Sequence, residues 1–299
     1  MSPISVILVI LSAAIHVGWN VMTKSSTNPK IFSLLKGTYT IIATILLLPY
    51  LPLKAITLDV WQYILLSGVA HWLYILGLAS AYETGDISFV YPIARSAPAF
   101  VPVAAYLTLG EIISLRGIVG IAVVVCCVLM LHIRRTDGAA ALGFRWASFK
   151  RKDSLWAFVT LAAVVTYTIF DKAGMLQMSR IDAIQFGLRA TIFYMMINLL
   201  AYALFWLYLA VRRELKFKSF SKKEWFQSLI AAIGTLISYS LILHVMQTET
   251  VSYIVTLRQC SILIAILAGW IFFKEKYGGY RLVVSALLLA GLFLVATAE

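Results

Sequence analysis

Three arginines stand inside long apolar stretches of this chain: Arg95, Arg189 and Arg258. An arginine at the centre of a membrane-spanning helix costs about 2.5–3.5 kcal/mol on insertion scales, so each needs a partner or a task. The guanidinium is a planar fork of donors that suits carboxylate, phosphate or phosphonate groups. Acids that could neutralise all three from within the apolar stretches are scarce. Asp171 is the clear one, with Glu83 and Asp86 at a loop edge. Arg95 and Arg258 therefore read as cations facing a central cavity, where they hold an anionic or zwitterionic group. The alternative for each is a structural pairing with a buried acid or with helix carbonyls. Arg189 lies nearer the start of its stretch and has the further option of snorkelling to the interface.

Other polar side chains recur at helical spacing around these arginines. Tyr91 and Arg95 are four apart and share a face, and Pro92, Pro98 and Pro102 break the hydrogen-bond ladder beside them. Broken backbone at membrane depth is tolerated mainly where it lines a cavity. His16, Trp19 and Asn20 form one polar-aromatic face, His71 with Tyr74 a second, Gln185 with Arg189 a third and Tyr167 with Asp171 a fourth. Gln259 adjoins Arg258. Each face alone is as readily an interhelical contact as a ligand site. Together they give a candidate binding set of Arg95, Arg258, Tyr91, Asn20, Trp19, His16, Tyr74, Arg189 and Gln259. His71, His244 and Asp171 are candidates for coupling to a proton, because histidine titrates near neutrality and a buried carboxyl can be tuned to do so.

Other chemistry is not supported. The four histidines, at 16, 71, 132 and 244, are far apart, and no pair of acids at ligand spacing lies in any apolar stretch. No metal site, cofactor or catalytic constellation is expected, and the chain does not read as an enzyme. The three cysteines, Cys126, Cys127 and Cys260, lie inside apolar stretches with no disulfide framework.

The elements that must position these residues follow from composition. Of 299 residues, 62% are hydrophobic and 13% charged, against about 25% charged in soluble domains. Lipid is the natural solvent for so much apolar surface, and at about 20 residues per crossing ten spans nearly exhaust the chain. They are Ile4–Met22, Ile31–Leu51, Val60–Tyr82, Ile87–Leu109, Leu115–Ile133, Leu155–Met175, Ile184–Val211, Trp225–Met246, Val251–Phe273 and Gly279–Thr297. All should be helical, since a helix satisfies its own backbone in lipid. The net charge of +12 does not indicate nucleic acid, because the basic residues cluster between apolar spans, where charge sets orientation.

Loops after odd-numbered spans hold most of that charge: Lys24, Lys30 and Lys36 after the first, a run from Arg134 to Lys152 after the fifth, Arg212 to Lys223 after the seventh, and Lys274, Lys276 and Arg281 after the ninth. Even-numbered loops hold little more than Lys54, Arg116 and Arg180. The positive-inside rule puts the odd loops in the cytoplasm and both termini outside.

The two halves of the chain share ordered landmarks. Thr84-Gly85-Asp86-Ile87-Ser88-Phe89-Val90 lies over Thr248-Glu249-Thr250-Val251-Ser252-Tyr253-Ile254, and at the same offset Glu111 falls on Glu275 and Arg95 on Gln259. A repeat of five spans must enter the membrane upside down the second time, a transporter signature with the site between the halves. The expected organisation is a first repeat over 1–135, a basic cytoplasmic linker over 136–153 and a second repeat over 154–299. Gly68, Gly77, Gly117, Gly120, Gly269 and Gly291 would allow close helix approach.

These landmarks resemble the drug/metabolite transporter superfamily, in particular its EamA-type branch. The matching features are the lysine closing the first span of each half (Lys24, Lys172) and a span-ending glutamate followed by a Gly-bearing span. These are Glu111 with Gly117 and Gly120, and Glu275 with Gly278, Gly279 and Gly291; by their positions at span ends both glutamates read as structural, capping helix junctions or pairing with Arg116 and Lys274. The chain departs from the pattern in offering Thr256-Leu257-Arg258-Gln259 where the first half has Pro92-Ile93-Ala94-Arg95. The resemblance implies secondary transport of a small polar metabolite by alternating access in a bacterial inner membrane, and the partners expected are a small-molecule substrate, the lipid bilayer and a coupling proton. A flippase for a lipid-linked sugar or phosphate is the alternative within transport, and an integral membrane enzyme is a remoter one.

Overall fold

A computed structural model describes residues 1–84, 96–132, 152–215, 220–264 and 279–298. Among them there is no strand. The helices are α1 (Pro3–Lys24), α2 (Pro29–Leu47), α3 (Leu58–Thr84), α4 (Ala97–Leu109), α5 (Leu115–His132), α6 (Lys152–Met178), α7 (Phe186–Val211), α8 (Lys222–Met246), α9 (Val251–Leu257) and α10 (Gly279–Ala296).

Local chemistry sets several helix ends. Ser2 and Asn28 each accept a hydrogen bond from a first-turn N–H, at Ser5 and Ile31, and Pro3 and Pro29 follow them at the first helical position, where a missing N–H costs nothing. Ser221 and Glu224 form a reciprocal capping box at α8. Gly110, at φ +66°, ends α4 in the left-handed conformation that a side chain disfavours.

Six helices, α1, α2, α3, α6, α7 and α8, are long and apolar enough to cross a membrane, and the described parts of the others are shorter apolar helices. Large apolar side chains point outward over the bundle, among them Ile4, Leu46, Leu65, Leu107 and Phe293. An apolar exterior of this extent needs lipid rather than water around it, so the chain is an integral membrane protein. The expected spans agree in place with the helices. The fourth differs in what can be said of it, because residues 85–95 lie outside the described set. The ninth is not one continuous helix. It runs from Val251 to Leu257, turns at Arg258–Gln259 and resumes over 260–264. At that turn the amides of Gln259, Ser261 and Ile262 bond three residues back rather than four, the tighter 3₁₀ pattern.

Helix packing follows a regular plan. The closest pairs are α3 with α6, α1 with α8, α5 with α10, α3 with α7, α2 with α8 and α2 with α7, and α4 bridges to α6 and α9. Small residues make the approach possible. Gly120 and Gly291 face each other's helices across α5 and α10, where an added Cβ at Gly120 would meet Val295 and one at Gly291 would meet Val123. The Tyr202 ring of α7 lies directly against Gly37 of α2, in space a Cβ would occupy. In lipid such close packing replaces the hydrophobic drive.

One end of the bundle is tied by polar groups that cap helices from a distance in sequence. Glu111, expected to cap a helix junction, accepts from the Val251 N–H at 2.8 Å and the Ser252 hydroxyl at 3.1 Å, and so serves the open N-terminus of α9. Lys172 donates to the carbonyls of Met246 at 2.8 Å and Glu249 at 2.7 Å, serving the end of α8. The Glu249 carboxylate accepts the Ser2 N–H at 2.8 Å. Partial burial opposes its charge. The hydrogen bonds from Ser2 and Ser5 and the N-terminal ammonium outweigh that and hold its carboxyl below the usual range.

Candidate functional site

The interior holds a cavity of about 380 Å³ between the two sets of helices. His16, Trp19, Asn20 and Thr23 of α1 form one wall. Ser33 and Lys36 of α2, Tyr74 of α3, Tyr167 of α6 and Tyr202 of α7 form others, and Arg258, Gln259 and Ser261 close it from the α9 segment. The break after Leu257 explains how Arg258 and Gln259 both reach it, since adjacent residues of a regular helix do not face the same way. Irregular backbone at this depth is the kind that lines a cavity. The sequence placed that irregularity in the proline-rich fourth span. Within the described residues it lies at Arg258.

Two cations line the cavity, Lys36 and Arg258, and no carboxylate does among the described lining residues. Lys36 is 5% exposed. Its ammonium sits 3.9 Å from the centre of the Trp19 ring, a cation–π contact. Trp19 is held in turn by the edge-on His16 ring, 4.6 Å between centres. The Arg258 guanidinium lies 5.7 Å from the centre of the Tyr239 ring. Two buried polar atoms, the Trp19 indole nitrogen and the Gln259 carboxamide oxygen, have no hydrogen-bond partner among the described residues. Buried polar groups are rarely left so, and a polar ligand in the cavity is a natural partner for them.

Directly behind this wall is a buried polar cluster. Asp171 is fully buried and accepts short hydrogen bonds from the hydroxyls of Ser67 and Tyr239. The His71 Nε2 is 3.9 Å from its second oxygen, while His71 Nδ1 lies 3.0 Å from the Ser67 carbonyl oxygen. The His71 ring stacks on Tyr167 at 4.0 Å. Tyr167 lines the cavity, and Tyr239 lies beneath Arg258, so the cluster meets the cavity at Tyr167 and reaches its Arg258 through Tyr239.

Of the residues singled out from sequence, His16, Trp19, Asn20, Tyr74, Arg258 and Gln259 come together on the cavity. Arg95 and Tyr91 lie outside the described residues. Arg189 is turned elsewhere: its guanidinium donates to the carbonyls of Ile184 and Ile181, both at 2.9 Å, and so staples the turn before α7. His71 and Asp171 are neighbours in the cluster, whereas His244, in the last turn of α8, packs against Phe186, 4.7 Å between ring centres. Among the described residues no group of three His, Cys, Asp or Glu is placed to hold a metal.

Sequence reading missed Lys36. It was counted with the loop charge that orients the chain, yet it stands seven residues beyond Pro29, about 10 Å into the helix at 1.5 Å per residue. The cost argument applied to the buried arginines would have found it. Tyr202 and Tyr239 were missed because one tyrosine among many carries no signal until the helices are assembled.

The sequence profile of the EamA-like transporter family matches residues 3–133 and 151–297. No curated protein matches the chain significantly. Among solved structures, a crystal structure described only as that of a protein superposes with a TM-score of 0.75 at 13% identity, covering 99% of this chain and 97% of the other. At that identity it speaks for the fold alone. With the profile spanning nearly the whole chain, this integral membrane protein belongs to the EamA-like transporter family.

Proposed function

We propose that the protein is a secondary transporter that moves a small polar metabolite, anionic or zwitterionic, by alternating access between two five-helix halves. The observation that carries the substrate charge is a central cavity with two cations and no described carboxylate. An anionic group on the substrate neutralises the cations while it occupies the cavity.

The two-half reading has separate support. Exchange α1–α5 for α6–α10 in order, and the contact α3–α6 becomes α8–α1, α3–α7 becomes α8–α2, and α5–α10, α2–α7 and α4–α9 map onto themselves. All of these pairs occur. That is the pattern expected of a pseudo-two-fold axis, and five spans per half make it lie in the membrane plane. The family profile also matches in two stretches, 3–133 and 151–297, which supports a division into halves 1–135 and 154–299 with 136–153 as the linker. The buried pair Asp171 and His71, wired to the cavity through Tyr239 and Tyr167, supplies groups for proton coupling.

Thermal unfolding of the purified protein against amino acids, amines, organic acids and phosphorylated metabolites tests the substrate class. A ligand at a hundred times its Kd adds about 2.7 kcal/mol of apparent stability. Stabilisation should come from members of the anionic or zwitterionic groups. Stabilisation by cationic amines alone would sink the proposal. Orientation is tested apart from function. The basic excess in odd-numbered loops puts Glu299 outside the cytoplasm of a bacterial inner membrane. A reporter fused there should be active only if it requires export, and cytoplasmic activity would mean that the loop charge has been misassigned.

A further inference from the structure

We infer that the cavity is built for a compact dianion, with Lys36 as the second recognition cation beside Arg258. The inference rests on the anion-transport reading above and sharpens it. The shared chemistry is two negative charges on one small molecule, carried either by a phosphoryl-type group or by two carboxylates.

The reasoning starts from what the two cations lack. Lys36 is almost fully buried, and its one described contact is with the Trp19 ring. A ring face recovers only part of the hydration an ammonium loses on burial. Arg258 likewise has a ring beneath it, that of Tyr239, and no described carboxylate as partner. A single carboxylate on a substrate would neutralise one of the two and leave the other without a counter-charge among the described residues. Two negative charges satisfy both, and the guanidinium fork and the ammonium offer between them enough donors for either source.

The two places that the sequence offered a substrate amine are already taken. The Trp19 face carries the Lys36 ammonium at 3.9 Å, and the His16 ring packs edge-to-face against Trp19. Asp171 does not line the cavity and is engaged by Ser67 and Tyr239. An ammonium entering the cavity would meet two like charges in a low-dielectric space. The two receptors that the sequence offered a zwitterion's amine, Trp19 and Asp171, are therefore both engaged. The volume of about 380 Å³ lies at the lower end for ligand pockets and suits a molecule of amino-acid or sugar-phosphate size.

The test uses purified full-length protein and ligands matched in shape but not in charge. Butyrate, 4-aminobutyrate and succinate share a four-carbon chain and carry one negative charge, balanced charges and two negative charges. Ethyl sulfate and ethyl phosphate differ mainly in the second charge near pH 8. Binding is read by calorimetry or thermal shift. In the wild type at least one dianion should bind about ten- to a hundredfold tighter than its matched partner, the gain of one more charge-assisted contact. Preference for succinate assigns the two charges to carboxylates, and preference for ethyl phosphate to a phosphoryl group. Lys36→Gln should erase the preference, and Lys36→Arg should keep it. Equal binding of dianion and monoanion in the wild type, tightest binding of 4-aminobutyrate, or an undiminished preference in Lys36→Gln would overturn the dianion inference and leave anion transport standing. If no anion of either charge binds, the transport reading fails as well. The wild-type ranking decides the matter even if Lys36→Gln does not fold.

Discussion

Arg258→Gln should reduce uptake of the transported anion by about 30- to 100-fold while leaving a folded, monodisperse protein. The magnitude is that of a hydrogen-bonded charge contact, about 2–3 kcal/mol. The fold should survive because Arg258 has no salt bridge among the described residues and its guanidinium lies over the Tyr239 ring. Among the described residues its removal breaks no ion pair, the circumstance that makes charge deletions so costly elsewhere. Arg258→Lys keeps the charge and loses the planar fork, so it should fall between the two if recognition is bidentate. Uptake into cells or vesicles, with the amount of protein in the membrane measured alongside, is the readout. Normal uptake by Arg258→Gln would mean that the substrate is held elsewhere.

Asp171→Ala should behave in the opposite way, as a folding defect first. Its carboxylate is the shared acceptor for Ser67 and Tyr239 and lies beside His71, with no exposure at all. Truncation leaves the Ser67 and Tyr239 hydroxyls without that acceptor, at about 1–3 kcal/mol for each unsatisfied group. A loss on the order of 3 kcal/mol in unfolding stability is expected, visible as a lower melting temperature in detergent. Asp171→Asn keeps the shape. Its amide can accept from one hydroxyl and donate to the other, because both hydroxyls serve in either role. That variant should recover most of the stability and lose any proton dependence of transport, measured as uptake against an imposed pH gradient. If Asp171→Asn retains a full response to the gradient, the cluster is structural and the coupling group lies elsewhere. If Asp171→Ala melts like the wild type, the cluster contributes little to the fold.

The two variants separate the two layers of the site. Arg258 stands on the cavity and acts on what enters it. Asp171 stands behind the wall and holds the wall together, through the same Tyr239 ring that lies under Arg258.

The amino-acid sequence by itself determined that the chain must live in lipid, that it must be helical, and where most helices run. Those properties depend on composition and on the length of apolar runs, and both are local. It also exposed Arg258, His16, Trp19 and Asn20, because an ion or a polar face inside an apolar run stands out against its neighbours. The role of Glu111 as a cap was legible too, from its position at a span end. What only the tertiary structure decided is which polar residues share a space. Arg189 and Arg258 look alike in sequence, yet one staples its own helix turn and the other faces the cavity, because the α9 segment breaks just where Arg258 stands. Lys36 looked like a loop charge until the packing of α1 against α2 and α8 set it over Trp19. The pairing of Asp171 with Ser67 and Tyr239 joins residues 104 and 68 positions apart. No local pattern records such a contact. It exists only when three helices are brought together, and the side chains at their meeting point then have nothing but one another to satisfy their hydrogen bonds.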